Sequence, residues 1–266
     1  LAFGCSAEQR GPTATVSASE PATELTGLLN DFNFSGSILV GKKGNIILRQ
    51  AVNASRIEEV EAVTPETPYP IASMTKSFTA SLVLKLVDDG KLNLDQSLKE
   101  LLPDFNVPYA RDVTLRHLLQ NRSGIPHYVD IPGWFDTEVK RSFTDESFLD
   151  TLQALDLKFQ PGSDYLYSNV NYYLLARIID RHAGARYEDY LRSQILDPLG
   201  LDRTGQIYQD EIDLAANYLR SEDGGYEIIP ITNPALFRGT ASMYSTIDDL
   251  FAWGQAIIAG EVFSEA

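Results

Sequence analysis

The feature that most constrains this chain is a lopsided inventory: one clear pair of strands, followed by a long run that reads mostly as helix. Gly36-Ser37-Ile38-Leu39-Val40-Gly41 and Ile46-Ile47-Leu48-Arg49-Gln50-Ala51 flank the turn Lys42-Lys43-Gly44-Asn45, the pattern of a β-hairpin. Both strands are apolar at most positions, so the expectation is a hairpin covered on both faces. Two strands do not make an independently stable sheet with a buried core. More strands are needed.

The helical periodicity begins in earnest after the prolines Pro65, Pro68 and Pro70. Phe78, Leu82, Val83, Leu86 and Val87 recur at helical spacing, and Gly90 supplies the stop. A short helix from Leu25 to Phe34 is expected to lead into the domain. Further helices are expected over Thr114–Leu119, Asp145–Leu155, Val170–Ala183, Tyr187–Ile195 and Thr246–Ala259. Looser, partly β-like sequence runs up to Ile231. No internal repeat or low-complexity block interrupts the order.

At the head of the Phe78–Val87 pattern stand Ser73 and Lys76, an S-x-x-K pair. Residues three apart share a helix face, so hydroxyl and amine can meet. A serine at a helix N-terminus also has unpaired backbone N–H groups beside it, which suit an oxyanion. A hydroxyl becomes a competent nucleophile only when a base takes its proton, and a lysine of lowered pKa can do that. Alone the pair carries little, since a chain of this length holds about one by chance. An N-capping serine followed by a solvated lysine gives the same spacing.

The 266 residues suit one large domain or two intimate subdomains. A formal net charge of −15 argues against nucleic acid as a partner and against a polybasic membrane contact. The single cysteine, Cys5, excludes an internal disulfide and a cysteine-rich zinc site. No cluster of histidine and carboxylate has metal-ligand spacing, so neither metal nor cofactor is expected. His117, His127 and His182 lack a partnered G-x-S-x-G serine, which leaves no Ser-His-Asp triad. Gly239-Thr240-Ala241-Ser242 reads as close backbone packing before the last helix rather than a phosphate loop.

Several separated segments together resemble one family, the serine β-lactamase and penicillin-binding-protein superfamily, in its branch of class C enzymes, DD-peptidases and esterases. Ile71-Ala72-Ser73-Met74-Thr75-Lys76 is similar to the nucleophile motif, and Asp89-Gly90-Lys91-Leu92-Asn93-Leu94-Asp95 to the helix end after it. Leu118-Leu119 with Ser123-Gly124-Ile125-Pro126 resembles a further family segment, with Asn121 standing where histidine is usual. Phe159-Gln160-Pro161-Gly162-Ser163 and then Tyr167-Ser168-Asn169 resemble the second active-site motif, with Tyr-Ser-Asn in place of S-D-N. Pro198-Leu199-Gly200-Leu201, and Ser245-Thr246 with Asp248, Leu250 and Trp253, complete the likeness, which covers nearly all of residues 35–260.

The resemblance implies an α/β (α+β) fold of the β-lactamase/transpeptidase type: an antiparallel sheet flanked by helices, with a mostly helical subdomain over roughly 77–200 inside a catalytic domain of 24–266. It implies Ser73 as nucleophile, Lys76 as base or proton relay, and Tyr167 as a phenol exchanging protons with Ser73 and the leaving group. Asn169 would orient the substrate's acyl side chain, although an N-cap for the following helix explains it too. The implied activity is hydrolysis of an ester, a D-amino-acid peptide or a β-lactam through an acyl-enzyme, on a small-molecule or peptidoglycan-derived substrate. The rival is a catalytically inactive cell-envelope binding or sensor protein of the same fold. The family's third motif, [KH]-[ST]-G or H-x-G on a strand beside the serine, does not occur here, so the expectation is a chain truncated at its C-terminus, with its last strands missing. Leu1-Ala2-Phe3-Gly4-Cys5-Ser6 resembles the end of a bacterial lipoprotein signal, and residues 7–23 have tether composition. An extracytoplasmic protein with a lipid anchor through Cys5 is expected.

Overall fold

A computed structural model describes residues 20–32, 34–52, 62–131, 133–134, 144–221, 225–229 and 233–263. The chain opens with helix α1 (Glu20–Asp31), strands β1 (Gly36–Lys42) and β2 (Asn45–Val52), and the short strand β3 (Tyr69–Pro70). Helices α2 (Thr75–Asp88), α3 (Leu98–Leu101), α4 (Leu115–Leu119), α5 (Asp145–Gln153), α6 (Asn169–His182), α7 (Tyr187–Leu191) and α8 (Asp197–Leu199) follow. Strands β4 (Gly205–Gln206), β5 (Tyr218–Arg220), β6 (Tyr226–Ile228) and β7 (Met243–Ser245) lead to the last helix, α9 (Ile247–Ile258).

The predicted hairpin forms. Lys43 and Gly44 both take left-handed backbone, φ 52° and 78°, the turn that matches the twist of two antiparallel strands. The register runs Gly36↔Val52 to Lys42↔Asn45, with an irregularity between Val40 and Gly41. Its coverage corrects the expectation. Helix α9 packs on β1, so closely that a Cβ on Gly41 would sit 2.3 Å from the Phe251 ring, and α1 packs on β2. Yet of the two strands only Leu48 is buried, while Ile46 and Ile47 are 38% and 37% exposed. An apolar run signals what a strand is able to bury; whether anything covers it depends on segments far away in sequence.

A second sheet has the order β3-β7-β4, all antiparallel. β5 and β6 pair as a separate antiparallel ribbon. The β-like stretch before Ile231 thus splits, one strand joining the sheet under the Ser73 turn and two standing apart. The core lies among the helices. Phe78, Leu82, Val83 and Leu86 of α2 and Val170, Leu174, Leu175, Ile178 and Ile179 of α6 have no measurable exposure, and α2 packs against α6 and α7 while α4 packs on α6.

Local chemistry sets the helix starts. Ser97 with Glu100, Thr114 with His117, and Thr144 with Ser147 form reciprocal caps on α3, α4 and α5. Gly200, at φ 62°, closes α8. Among the described residues no helix is long and apolar enough to cross a membrane.

Candidate active site

The Ser73 turn is held from below by β7. Pro70 pairs with Tyr244, and the Ile71 N–H donates to the Met243 carbonyl at 2.9 Å. The chain then turns abruptly: Ala72 has φ 45°, a left-handed conformation that costs a residue with a Cβ about 1 kcal/mol. A 3-10 turn over Ala72–Met74 follows, and α2 starts only at Thr75. Ser73 therefore does not cap the helix. It is exposed, and among the described residues its N–H makes no hydrogen bond, so that donor is free for a developing oxyanion.

One turn on, Lys76 is buried, 7% exposed. Its Nζ donates to Asn169 Oδ1 at 2.7 Å and to the Thr240 carbonyl at 2.9 Å, and lies 3.2 Å from Ser73 Oγ. It also sits over the Tyr167 ring, 4.9 Å from the centroid, and over Tyr172 at 5.6 Å. Among the described residues no carboxylate forms an ion pair with it. Burial without a counter-charge pushes the ammonium down from 10.5 to about 8. On the other side of the serine, Tyr167 OH and Ser73 Oγ share a hydrogen bond of 2.6 Å. Tyr167 is 39% exposed, so it is not a core aromatic.

Asn169 occupies the first turn of α6, but it is not the cap. Ser168 takes that role, its Oγ accepting from the Val170 N–H at 3.1 Å. The amide of Asn169 is thereby free to face two ways, accepting from Lys76 and donating through Nδ2 to Tyr128 OH at 2.9 Å. Asn121, left-handed at φ 54°, pins Tyr167 from both sides. Its carbonyl accepts from Leu166 N–H at 2.9 Å and its Oδ1 from Ser168 N–H at 3.1 Å. The same Oδ1 accepts from Asn171 Nδ2 at 3.0 Å.

Ser73 with Lys76, and Tyr167 with Asn169 more than ninety positions further along the chain, thus meet in one hydrogen-bonded group. Cys5 lies outside the described residues. Three participants escaped the sequence reading. The Thr240 carbonyl is a backbone group that leaves no trace in residue type; Gly239 beside it does pack closely, a Cβ there meeting Ala176 at 2.7 Å. Tyr128 follows Pro126 by two positions and extends a segment already singled out. The His127 ring lies tilted to the Tyr167 ring, centroids 6.2 Å apart, with burial holding its imidazole below the ordinary range. Its Nδ1 accepts from Val129 N–H at 3.1 Å, which leaves the ring proton on Nε2. Beside it a cavity of about 350 Å³ is lined by Pro126, His127, Asp130, Ile131, Leu155 and Lys158, among others. His117 instead serves as a capping residue on α4, packed against Gly162. Among the described residues no group of three His, Cys, Asp or Glu is arranged to hold a metal ion.

Comparison with known proteins gives this geometry a context. The Beta-lactamase family model matches residues 33–266. Penicillin-binding protein 4* of Bacillus subtilis is 28% identical over 251 residues, covering 88% of this chain and 54% of that protein. A D-aminopeptidase of Brucella anthropi is 30% identical over 231 residues, 84% of this chain and 42% of that one. The chain spans about half the length of these curated relatives. Among solved structures, D-amino acid amidase from Ochrobactrum anthropi SV3, complexed with D-phenylalanine, superimposes with a TM-score of 0.66 at 27% identity, over 77% of this chain and 60% of that one. A single family model thus runs across the hairpin, the Ser73 turn and the helices behind it, and the chain belongs to the Beta-lactamase family.

Proposed function

We propose that this chain carries the catalytic site of a serine hydrolase that cleaves an ester or amide through an acyl-enzyme on Ser73, with D-amino-acid peptides or amides as the substrate class. The observation that carries the reading is the donor count at Lys76. Two of its three partners, Asn169 Oδ1 and the Thr240 carbonyl, can only accept. A neutral amine has two N–H bonds, both used there, so its lone pair is directed at Ser73 Oγ, the third partner at 3.2 Å. An amine titrating near 8 is neutral in a useful fraction at physiological pH.

In the proposed reaction Lys76 takes the Ser73 proton as Oγ bonds to the substrate carbonyl carbon. The oxyanion so formed is met by the Ser73 N–H. Tyr167 passes a proton to the departing amine or alcohol as its bond to that carbon breaks, leaving the acyl group on Ser73. Water, deprotonated by the same groups, then attacks the ester, and the proton returns to Ser73 as the carboxylic acid leaves. Asn169, its amide already held by Lys76 and Tyr128, serves in this reading to orient the Lys76 amine, and the cavity beside His127 is large enough to receive the substrate's acyl side chain. The preference for D-configured substrates is drawn from the relatives named D-aminopeptidase and D-amino acid amidase; simple esters and β-lactams share the acylation chemistry.

The test is turnover by the full-length protein of D- and L-phenylalanine p-nitroanilide, a p-nitrophenyl ester and a chromogenic β-lactam, alongside Ser73→Ala. The reading expects D over L by at least about tenfold, a difference of about 1.4 kcal/mol, and no turnover in Ser73→Ala. Equal turnover in Ser73→Ala overturns the mechanism, and equal rates on D and L overturn the substrate class. Binding of a peptidoglycan peptide with no turnover of any probe favours the inactive sensor instead. With the enzyme reading goes an extracytoplasmic site of action and a lipid on Cys5, tested by palmitate labelling that Cys5→Ser abolishes.

A further inference from the structure

Behind the Thr240 carbonyl lies an ion cluster that the reaction above does not use. Arg238, its side chain 4% exposed, is gripped by two carboxylates from two helices. Its Nη1 and Nη2 donate to Asp180 of α6 at 2.6 and 2.7 Å, and its Nε and Nη2 to Glu188 of α7 at 2.5 and 3.1 Å. Tyr208 OH donates to the same Glu188 at 2.5 Å. Arg238 and Glu188 are buried while Asp180 stays partly exposed; burying a pair of charges costs several kcal/mol per ion before their attraction returns it, and apolar packing of the same volume commonly does as well. Stability alone is a poor reason for such a cluster.

Its position supplies a better one. Arg238 is followed at once by Gly239, whose carbonyl accepts from Thr79 Oγ1 of α2 at 2.8 Å, and then by Thr240, whose carbonyl accepts from Lys76 Nζ. Thr79 in turn hydrogen-bonds Tyr187 OH of α7 at 2.8 Å. Gly239, at φ 70°, is packed against the Tyr172 carbonyl and Ala176, so the segment has no slack on its α6 side. A planar fork held by two carboxylates fixes the backbone that leaves it more tightly than a single point charge does.

We infer that Arg238 is a positioning residue for the Lys76 amine, acting through the Thr240 carbonyl. This rests on Lys76 serving as the base. Arg238 holds the acceptor that, with Asn169, occupies both N–H bonds of the neutral amine and turns its lone pair on Ser73. The ammonium form donates to that carbonyl more strongly than the amine does, so an acceptor moved out of reach makes Lys76 easier to deprotonate. The groups that face Lys76 are Ser73 on its own turn, Tyr167 before α6, Tyr172 and Asn169 on α6, and His127 and Tyr128 after α4. Tyr187 of α7 stands behind Thr79, and Asp180, Glu188 and Arg238 stand behind Thr240. None of those facing groups is altered in the variants that test the inference.

The test titrates the Lys76 Nζ directly, by NMR of lysine-labelled full-length protein, with the Lys76 resonance assigned from Lys76→Arg. Wild type is compared with Arg238→Lys, which loses the fork, and with Thr79→Val, which frees the Gly239 carbonyl. In both variants the Lys76 titration is expected to move down by about half a pH unit or more. The pH at which Ser73 acylation by a p-nitrophenyl ester is half-maximal should fall with it, with kcat reduced and KM little changed. A Lys76 titration unmoved in a folded Arg238→Lys protein overturns the inference, as does a loss of rate that is equal at every pH. Wild type that titrates normally but acylates nothing overturns the hydrolase reading instead, and the two failures are told apart by the NMR arm.

Discussion

At the scale of single residues, the site sets stability against chemistry. Lys76 folds into a place where its ammonium is penalised, and the sign of that penalty is testable. Its pKa falls from 10.5 unfolded to about 8 folded, so below about 8 the cost is fully present. Between those values the unfolded chain binds a proton the folded chain has shed, and stability rises with pH. Lys76→Met removes this dependence and leaves the Asn169 and Thr240 acceptors unpaired at every pH. Thermal melts are therefore expected to show the variant losing ground to wild type as pH is raised from about 8 to 10.5, by on the order of 1–3 kcal/mol across the window. A difference that stays flat with pH contradicts the assignment. Tyr167→Phe removes the 2.6 Å bond to Ser73 from a half-exposed ring. Its expected signature in single-turnover kinetics is acylation or deacylation slowed by about a hundredfold, with stability changed by no more than about 0.5 kcal/mol.

At the scale of elements, the Ser73 turn depends on a helix far along the chain. Trp253 of α9 stacks on Phe78 of α2, centroids 4.2 Å apart, and its Nε1 donates to Ser77 Oγ at 3.0 Å. That hydroxyl donates on to the Met74 carbonyl in the Ser73 turn. Trp253→Ala is expected to cost about 3–5 kcal/mol in denaturant unfolding, and a loss below about 1 kcal/mol would show that α9 is not seated as described. Elements with strong periodicity were legible in advance: α2, α4, α5, α6 and α9 all begin and end within a residue or two of their apolar pattern and cap signals. The hairpin was legible too, though not its thin cover. Side-chain members of the site followed from motif residues. The parts that did not are relational. Ser168 taking the cap frees Asn169, Asn121 grips the chain on both sides of Tyr167, and a Thr240 carbonyl reaches Lys76 across 164 positions. Such pairings depend on how α6 and the segment before β7 pack, which residue types at local spacing do not encode.

At the scale of the whole molecule, Arg238 and the two carboxylates around it tie the segment before β7 to α6 and α7. Burial would raise the Glu188 carboxyl, but the hydrogen bonds and charge of Arg238 outweigh it and hold it below its ordinary value. A depressed carboxylate contributes stability that is present above the unfolded pKa and lost as pH falls through the folded one. Glu188→Gln is accordingly expected to cost about 3 kcal/mol at neutral pH, with the gap to wild type closing as pH is taken below about 4.5 in circular-dichroism acid titrations; a gap that widens in acid contradicts the sign. Helix packing, sheet and ion cluster all converge on one short exposed turn, so the central claim is that Ser73 is acylated. The most direct measurement is mass spectrometry of full-length protein trapped at acid pH after brief exposure to a p-nitrophenyl ester, with the adduct located by peptide mapping. The account predicts one acyl group on the Ser73 peptide, absent in Ser73→Ala. An adduct on another residue, or equal labelling of Ser73→Ala, would contradict it.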